Sequence, residues 1–544
     1  MKLQRALCKP STRLSLRRVS LAVAAASCSS PVWALPTVSF DNGLTLQSQL
    51  TANYTLSART GSASKEYLND LNSDDGTRNF DEWGLINNRL SLFGEVIARY
   101  ENLGAVLRGS HFYDDVYHQS NDNDSPDTVN KRGNHQRFTS ETKDRSGGEP
   151  RLLDAYVFGN FALDNSQFLS LKAGRHLFVW GESLFWPNIS QGQAPVDATK
   201  FNVPGTEAKD AYLPVGQVSV NYSLNHQLTF TGFWQYEWEE TLLNPVGDFF
   251  GSDFFGPGSE FWRFAPGPVG PTTAFASAGE VKPGDDGQWG IGVRFNPNFN
   301  TELGLYHYRY HDRVPVLFFD ATGTTRYSSA PDLRAAGPGT YQFKYFEDIQ
   351  LTGVSVSTKV ADAVQIGADV SLRDGAAVYL VNGAPTTGEI LQSNLNAVYI
   401  IGPSFLAQQT TLLGEFVNQR IQGVDTLHVS GGVPGSNGSF DRFTSDAQTK
   451  SSSLYGAGIF LDYPSIGQGW DLTTSAVWTH NIAGSGIQGF GRDEKRLTLG
   501  ADFTYLSNFS AGATLVNYLS SANIDRGRVL SDRDYLSFNF KYTF

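Results

Sequence analysis

The feature that most constrains this chain is a two-residue hydrophobic period that recurs along most of its length. From Leu44 the even positions read Leu44, Leu46, Ser48, Leu50, Ala52, Tyr54 and Leu56, against Thr45, Gln47, Gln49, Thr51, Asn53 and Thr55 at the odd ones. The same alternation returns at Leu90–Tyr100, Leu228–Trp238, Val364–Arg373 and Arg496–Tyr505. A period of two describes a strand with one apolar and one polar face. Each segment is long enough to cross ~25 Å of hydrocarbon as a tilted strand. The polar faces carry Gln, Arg, Glu and Asp, which suit a water-filled interior. A soluble β-sandwich or β-helix array would instead pack such faces on Val, Ile and Leu.

The connections alternate in length. Turn residues stand at Glu101-Asn102, Asp164-Asn165, Leu224-Asn225, Asn296-Pro297-Asn298, Ala361-Asp362, Gly402-Pro403, Pro464 to Gly469 and Ser507-Asn508. Long polar or Gly/Pro-rich stretches fall near 57–85, 112–148, 176–215, 241–286, 312–346, 374–392, 421–450, 481–492 and 520–533. Eight turns and nine long loops join about eighteen strands (range 14–20), the arrangement of a bacterial outer-membrane barrel with its long loops outside. The expected fold is therefore all-β: a transmembrane antiparallel β-barrel with long outer loops. In hydrocarbon every backbone donor and acceptor needs an internal partner, which only a closed sheet gives to strands. About eighteen strands leave a lumen too wide for wall side chains to fill, so something passes through it or plugs it.

Both ends of the sequence agree. Lys2, Arg5, Lys9, Arg13, Arg17 and Arg18 precede the short apolar run Val19–Ala26, and Val32-Trp33-Ala34 fits a cleavage site. Residues 1–34 read as a secretory signal peptide and 35–544 as the barrel. The alternatives are a cytosolic amphipathic helix or a lipidated Cys28, which lacks the usual Leu at position 25. Cleavage removes Cys8, Cys28 and Met1, leaving a chain without thiols, and takes the formal net charge from -12 to about -18 by loss of those six basic residues. Two Cys could in any case build neither a disulfide framework nor a Cys-based metal site. An acidic chain also lacks the basic face of a nucleic-acid binder, and no run reaches the ~18 apolar residues of a membrane-spanning helix. At the other end Leu536, Phe538, Phe540, Tyr542 and Phe544 alternate, and the chain stops on an aromatic residue. Such a strand resembles the signal read by the outer-membrane assembly machinery. Trp238, Trp289, Tyr306, Tyr308, Tyr310, Trp470, Trp478 and Tyr505 are expected in aromatic girdles at the membrane interfaces.

The third long loop, 176–215, differs from the rest in its density of Trp, Pro and Gly, which describes a compact loop with fixed turns. Its position suggests a loop folded into the barrel. Arg175, Trp180, Glu182, Trp186, Asp197, Lys200 and Glu207 are the candidate pore and constriction residues, since charges of both signs there would set what passes. The competing reading is that Arg175, Glu182 and Asp197 pin the loop by internal ion pairs. In the 241–286 loop, Phe249, Phe250, Phe254, Phe255, Phe261 and Trp262 form the candidate entry platform for a lipophilic ligand. The alternative is loop-to-loop packing over the pore.

The pattern Gly174-Arg175, Gly181-Glu182-Ser183, Pro195-Val196-Asp197 with Lys200, and Val203-Pro204-Gly205 with Glu207 resembles the domain-of-unknown-function 1302 family of Gram-negative envelope proteins. The resemblance covers most of the mature chain. It implies an outer-membrane barrel that moves lipophilic molecules, with a resistance-nodulation-division exporter and a second envelope protein as partners. It implies no catalytic residues. Other partners expected of such a barrel are outer-membrane lipid and lipopolysaccharide.

Other signals carry less. Asp70, Asn72, Asp74, Asp75 and Asp81, with Asp122, Asp124 and Asp127, offer oxygen ligands for Ca²⁺, but Asp75 stands where an EF-hand needs Gly. Ser183 lies near His176 and Glu182 but outside a nucleophile-elbow pattern. His307 and His311, at i and i+4 on a strand, would sit on one face about 13 Å apart, too far to share a metal. No P-loop, dinucleotide fingerprint or zinc motif is present, and no cofactor is called for. The function expected is passage of small, lipophilic molecules. The alternatives are a general porin for polar solutes and an outer-membrane enzyme.

Overall fold

The computed structural model describes residues 37–163, 166–190, 192–201, 203, 211–264, 273–320, 336–379, 385–424, 448–486 and 489–544. The expected signal peptide, the turn at Asp164-Asn165 and the candidate Glu207 lie outside the described residues.

Eighteen antiparallel strands, each hydrogen-bonded to its sequence neighbour, run from Thr45–Arg59 to Tyr535–Thr543. The sheet closes where the first pairs with the last, from Thr51↔Thr543 to Arg59↔Tyr535. Closure leaves no edge, so each wall strand has a ladder on both sides. A two-residue strand, Val38–Ser39, adds to the start of the first.

Burial runs opposite to that of a soluble protein. On the first strand Asn53, Thr55, Ser57 and Arg59 are buried, while Leu50 is exposed. On Val364–Tyr379, Asp369, Ser371 and Arg373 are buried, while Val370 and Leu372 are exposed. Apolar side chains thus face the bilayer and polar ones the lumen, as the period of two predicts. In the last strand Phe538 and Phe540 face outward, opposite Leu56 and Tyr54 of the first strand.

The aromatic girdle is only partly where expected. Trp289 and Tyr505 are exposed on the outer wall. Tyr306, Tyr308 and Tyr310 instead face the lumen and are buried, because Leu303 and Leu305 take the outward positions of that strand. Trp238 lies past its strand end, buried edge-on against Tyr345 at 4.8 Å. The 374–392 loop is also shorter than expected. Its flanking strands stay paired to Tyr379↔Pro385, across an irregularity between Arg373 and Ala376 where Gly375 takes a φ of 79°.

The wall is uneven. Phe168–His176, Val215–Ser223 and Leu228–Gln235 have nine, nine and eight residues. Pro385–Ile401 and Ser451–Gly467 each have 17. The long loops begin at the upper ends, and their secondary structure is built above and inside the wall. Short helices occur at Lys65–Leu68, Asp75–Arg78, Ser140–Arg145 and Ala198–Phe201. A separate four-stranded sheet joins Phe261–Phe264 and Thr273–Val281 of the fourth loop to Val316–Asp320 and Ala336–Lys344 of the fifth.

Candidate functional site: the third loop inside the barrel

The third loop leaves the wall at His176, turns into the lumen and is held by strands on the far side. It starts on the fifth barrel strand, and its main receptors lie on the eleventh to thirteenth. Two buried wall carboxylates do most of the holding. Asp369 accepts the Glu182 amide at 2.9 Å and the Ser183 hydroxyl at 2.8 Å. Glu415 accepts three successive amides, from Leu184 at 3.3 Å, Phe185 at 2.6 Å and Trp186 at 3.1 Å. Hydrogen bonds to an ionised group are worth about 1.5–3 kcal/mol each. A carboxylate facing consecutive amides forms a compact anion nest.

Amides of the wall complete the seat. Asn394 donates to the Trp186 carbonyl at 2.7 Å and to Glu415 at 2.8 Å, and Asn396 donates to the Glu182 carbonyl at 2.7 Å. Asn188, fully buried, donates to Asn394 at 3.1 Å. The Gly-Glu-Ser motif now has a physical reason. Gly181 takes a φ of 97°, and a Cβ there would lie 2.8 Å from an Asp369 oxygen. Glycine brings the backbone close to the carboxylate that the next two residues then bind.

Apolar packing fixes the same segment. Trp180 stacks on Tyr306 with centroids 5.0 Å apart and meets Phe233 at 5.2 Å. Trp186 packs with Val417 and Leu454 of the wall. Both Trp side chains are therefore clamps buried against the wall. The apolar residues of this segment that stay exposed are Val179 and Leu184, at 49% and 45%, while the half-buried Glu182 packs toward Gly367 of the wall. Neither apolar residue was singled out by sequence, because an exposed Val or Leu in a loop has no pattern.

The charged candidates separate. Arg175 is not in the lumen. It is paired with Ala155 and Gly216, whose strand neighbours Val157 and Val218 are exposed on the outer wall, so its side chain leaves the barrel on that side. It forms ion pairs with Glu237 and, at 2.8 Å, with Glu239, and donates to the Pro214 carbonyl at 3.0 Å. Arg175 therefore ties the two ends of the loop to Glu237 and Glu239, which lie beyond it in the chain. The alternation places Arg175 on the outward face, a signal that was present in the sequence.

Asp197 and Lys200 are both inside and both buried, at 4% and 3% exposure. Asp197 caps the short helix through the Thr199 amide at 3.1 Å, and Lys200 lies 3.6 Å from Asp197 and 5.9 Å from the Phe93 ring. They brace the loop against the wall. His176 and Ser183 do not meet: His176 contacts the Ser219 hydroxyl at 2.7 Å and Ser183 turns to Asp369. His307 and His311 also part, since His307 stays on the outer wall beside Thr352 and His311 is buried beyond the strand end.

The first, second and fourth loops pack against one another and against the last strands of the wall. Phe249 is fully buried among Phe80, Tyr117, Phe138 and Tyr535, with Phe250 against the same group. Phe261 is also buried, under Arg132 at 4.7 Å. These three are loop-packing residues and are not open to a ligand. Phe254, Phe255 and Trp262 stay partly exposed, Phe254 stacking on Trp262 at 5.7 Å.

The acidic loops also pack. Asp74 binds Arg78 at 2.6 Å, and Asp124 binds the same guanidinium at 2.9 Å. Asp253 accepts the Asp75 amide at 2.9 Å. Burial, with Asp74 beside it, pushes the Asp75 carboxyl up to about 7, and burial raises Asp253 well above the usual carboxylate range. Among the described residues no group of three His, Cys, Asp or Glu side chains is placed to hold a metal ion.

Comparison with known proteins gives a family and a loose structural likeness. The family model described as protein of unknown function (DUF1302) matches residues 15–544. No curated protein matches. Among solved structures the chain is similar to Pseudomonas aeruginosa OccK9, with a TM-score of 0.43 and 11% identity over 92% of this chain and 98% of that one. It is similar to Acinetobacter baumannii OccAB1, with a TM-score of 0.44 and 10% identity over 94% and 99%. It is also similar to the outer membrane channel DcaP of A. baumannii, with a TM-score of 0.37 and 12% identity over 94% and 100%. At these scores the barrel assignment rests on the strand pairing itself. With nearly its whole length matched, the chain belongs to the DUF1302 family of proteins of unknown function.

Proposed function

We propose that this chain is an outer-membrane channel for small, lipophilic or amphipathic molecules. The observation that carries the reading is a loop pinned inside a closed barrel that leaves Val179 and Leu184 exposed. Water wets a polar lumen, and exposed aliphatic side chains within it give an apolar solute a step that a polar wall does not. The apolar outer wall supports the membrane location, since only a closed barrel or a helix satisfies its backbone in hydrocarbon. An exporter and a second envelope protein remain the proposed partners, supported by the family resemblance alone.

The test is a planar-bilayer recording with the purified protein. Conductance that an uncharged aromatic or terpenoid solute reduces, and that Val179→Ser with Leu184→Ser makes insensitive to that solute, would support the reading. Steady ohmic conductance that no lipophilic solute changes would sink it and favour a porin for polar solutes. That second reading draws on the polar face of the first strand, where Gln47 and Gln49 are exposed.

A further inference from the structure

A cavity of about 380 Å³ lies outside the barrel, among the second, fourth and fifth outer loops. That volume lies within the ~300–1,000 Å³ of small-molecule sites. Leu243, Pro257, Pro315 and Phe343 give it apolar walls. Its polar end is built from Glu240, Glu280, Lys282, Tyr345 and Arg145.

The geometry there is that of an ammonium seat. The Lys282 ammonium lies 2.6 Å from Glu240 and 3.0 Å from Glu280. The buried Tyr345 hydroxyl lies 3.3 Å from Glu240 and 3.1 Å from Glu280, so it stands between the same two carboxylates. Arg145 holds the other oxygen of Glu240 at 3.2 Å. Tyr345 is fixed by its edge contact with Trp238. The Glu240 side chain is 14% exposed, while Lys282 is 46% exposed and reaches in on its flexible stem. Glu240 is thus held from behind by Arg145 and Tyr345, while Lys282 enters from the solvent side. Glu141 and Asp144 also line the cavity. Four carboxylates against two cations favour a positive ligand over a negative one.

We propose that this cavity is a binding site for small cationic amphiphiles: a primary ammonium between Glu240 and Glu280, and an apolar ring against Phe343 and Leu243. The Phe343 and Tyr345 rings would add a cation–π contribution. The site stands apart from the lumen, and it does not depend on the channel reading.

Isothermal titration of the purified, detergent-solubilised protein with 2-phenylethylamine tests this, with 2-phenylethanol and phenylacetate as controls. The amine should bind at least tenfold more tightly than the alcohol, and phenylacetate should not bind. Glu280→Gln should weaken the amine about tenfold, and Lys282→Met, which empties the seat, should tighten it several-fold. These opposite signs separate a ligand seat from an internal ion pair, because a merely structural pair would make both variants weaken binding or leave it unchanged. Equal binding of amine and alcohol, absence of amine binding, or failure of Lys282→Met to strengthen it would overturn the proposal. Unboiled electrophoretic mobility confirms that each variant is folded.

Discussion

At the scale of single residues, the decisive groups are two carboxylates on the lumen face, Asp369 and Glu415. Both are buried, and both bind backbone amides of the third loop. Glu415→Ala leaves the amides of Leu184, Phe185 and Trp186 without their shared acceptor, and each unpaired buried group costs about 1–3 kcal/mol. The loop should then detach in part, and single-channel conductance in a planar bilayer should at least double, with Glu415→Gln intermediate because an amide oxygen still accepts. Unchanged conductance in Glu415→Ala would mean that the Asn394 and Trp180 contacts suffice to hold the loop. Arg175 behaves differently. Since it faces the outer wall, Arg175→Ala should leave ion selectivity unchanged while lowering the temperature at which the folded form disappears on an unboiled gel. A shifted reversal potential in that variant would place Arg175 at the pore after all. The sequence marked Arg175 and the Gly-Glu-Ser run as special. It did not mark Glu415, whose partners lie about 230 residues away along the chain.

At the scale of elements, the outer loops pack against one another, and acidic side chains are buried side by side between them. Asp75 begins the helix Asp75–Arg78, and Asp253 of the fourth loop caps it through the Asp75 and Gly76 amides. Lys131 and Arg263 are the nearby cations, and burial lowers the Lys131 ammonium below its usual range. A carboxyl raised on folding stabilises the folded loops most below its unfolded value, and the contribution falls as pH rises through the folded one. For Asp75 that window runs from about 4 to about 7. Hydrogen–deuterium exchange of residues 70–80 and 248–256, corrected for intrinsic rates, should therefore show weaker protection at pH 8 than at pH 5. Asp75→Asn should remove most of the difference, since the amide oxygen still accepts from the Asn130 backbone. Equal protection at both values in the wild-type chain would contradict the linkage. Sequence placed Asp75 in an outer loop but read it as a candidate cation ligand. Its burial comes from contacts between separate loops, which local composition does not encode.

At the scale of the whole molecule, the wall is one closed sheet whose two faces differ by a single residue step. Gln49 and Leu50 are neighbours on the first strand, and only Leu50 faces lipid. Leu50→Arg should cost about 2–4 kcal/mol if it lies near the bilayer midplane, whereas Gln49→Arg should fold normally, as read by urea titration of Trp fluorescence in lipid vesicles. Equal destabilisation by the two substitutions would refute the assignment of faces. The sequence by itself determined the barrel, its strand number, the alternation of turns and loops, and the outward face of most strands. These follow from a local period of two and from turn residues that act on their own neighbours. Where a bulky aromatic run met a strand whose leucines also claimed the outside, as at Tyr306, Tyr308 and Tyr310, the period gave two answers, and packing against Trp180 chose between them. The sequence also suggested that the third loop folds inward; only the tertiary structure decided which wall residues receive it, that Arg175 lies outside the lumen, and that Phe249 is a core residue rather than a platform. Each of those outcomes depends on a partner brought close by barrel closure, and chain closure over hundreds of residues leaves no periodic trace in the sequence.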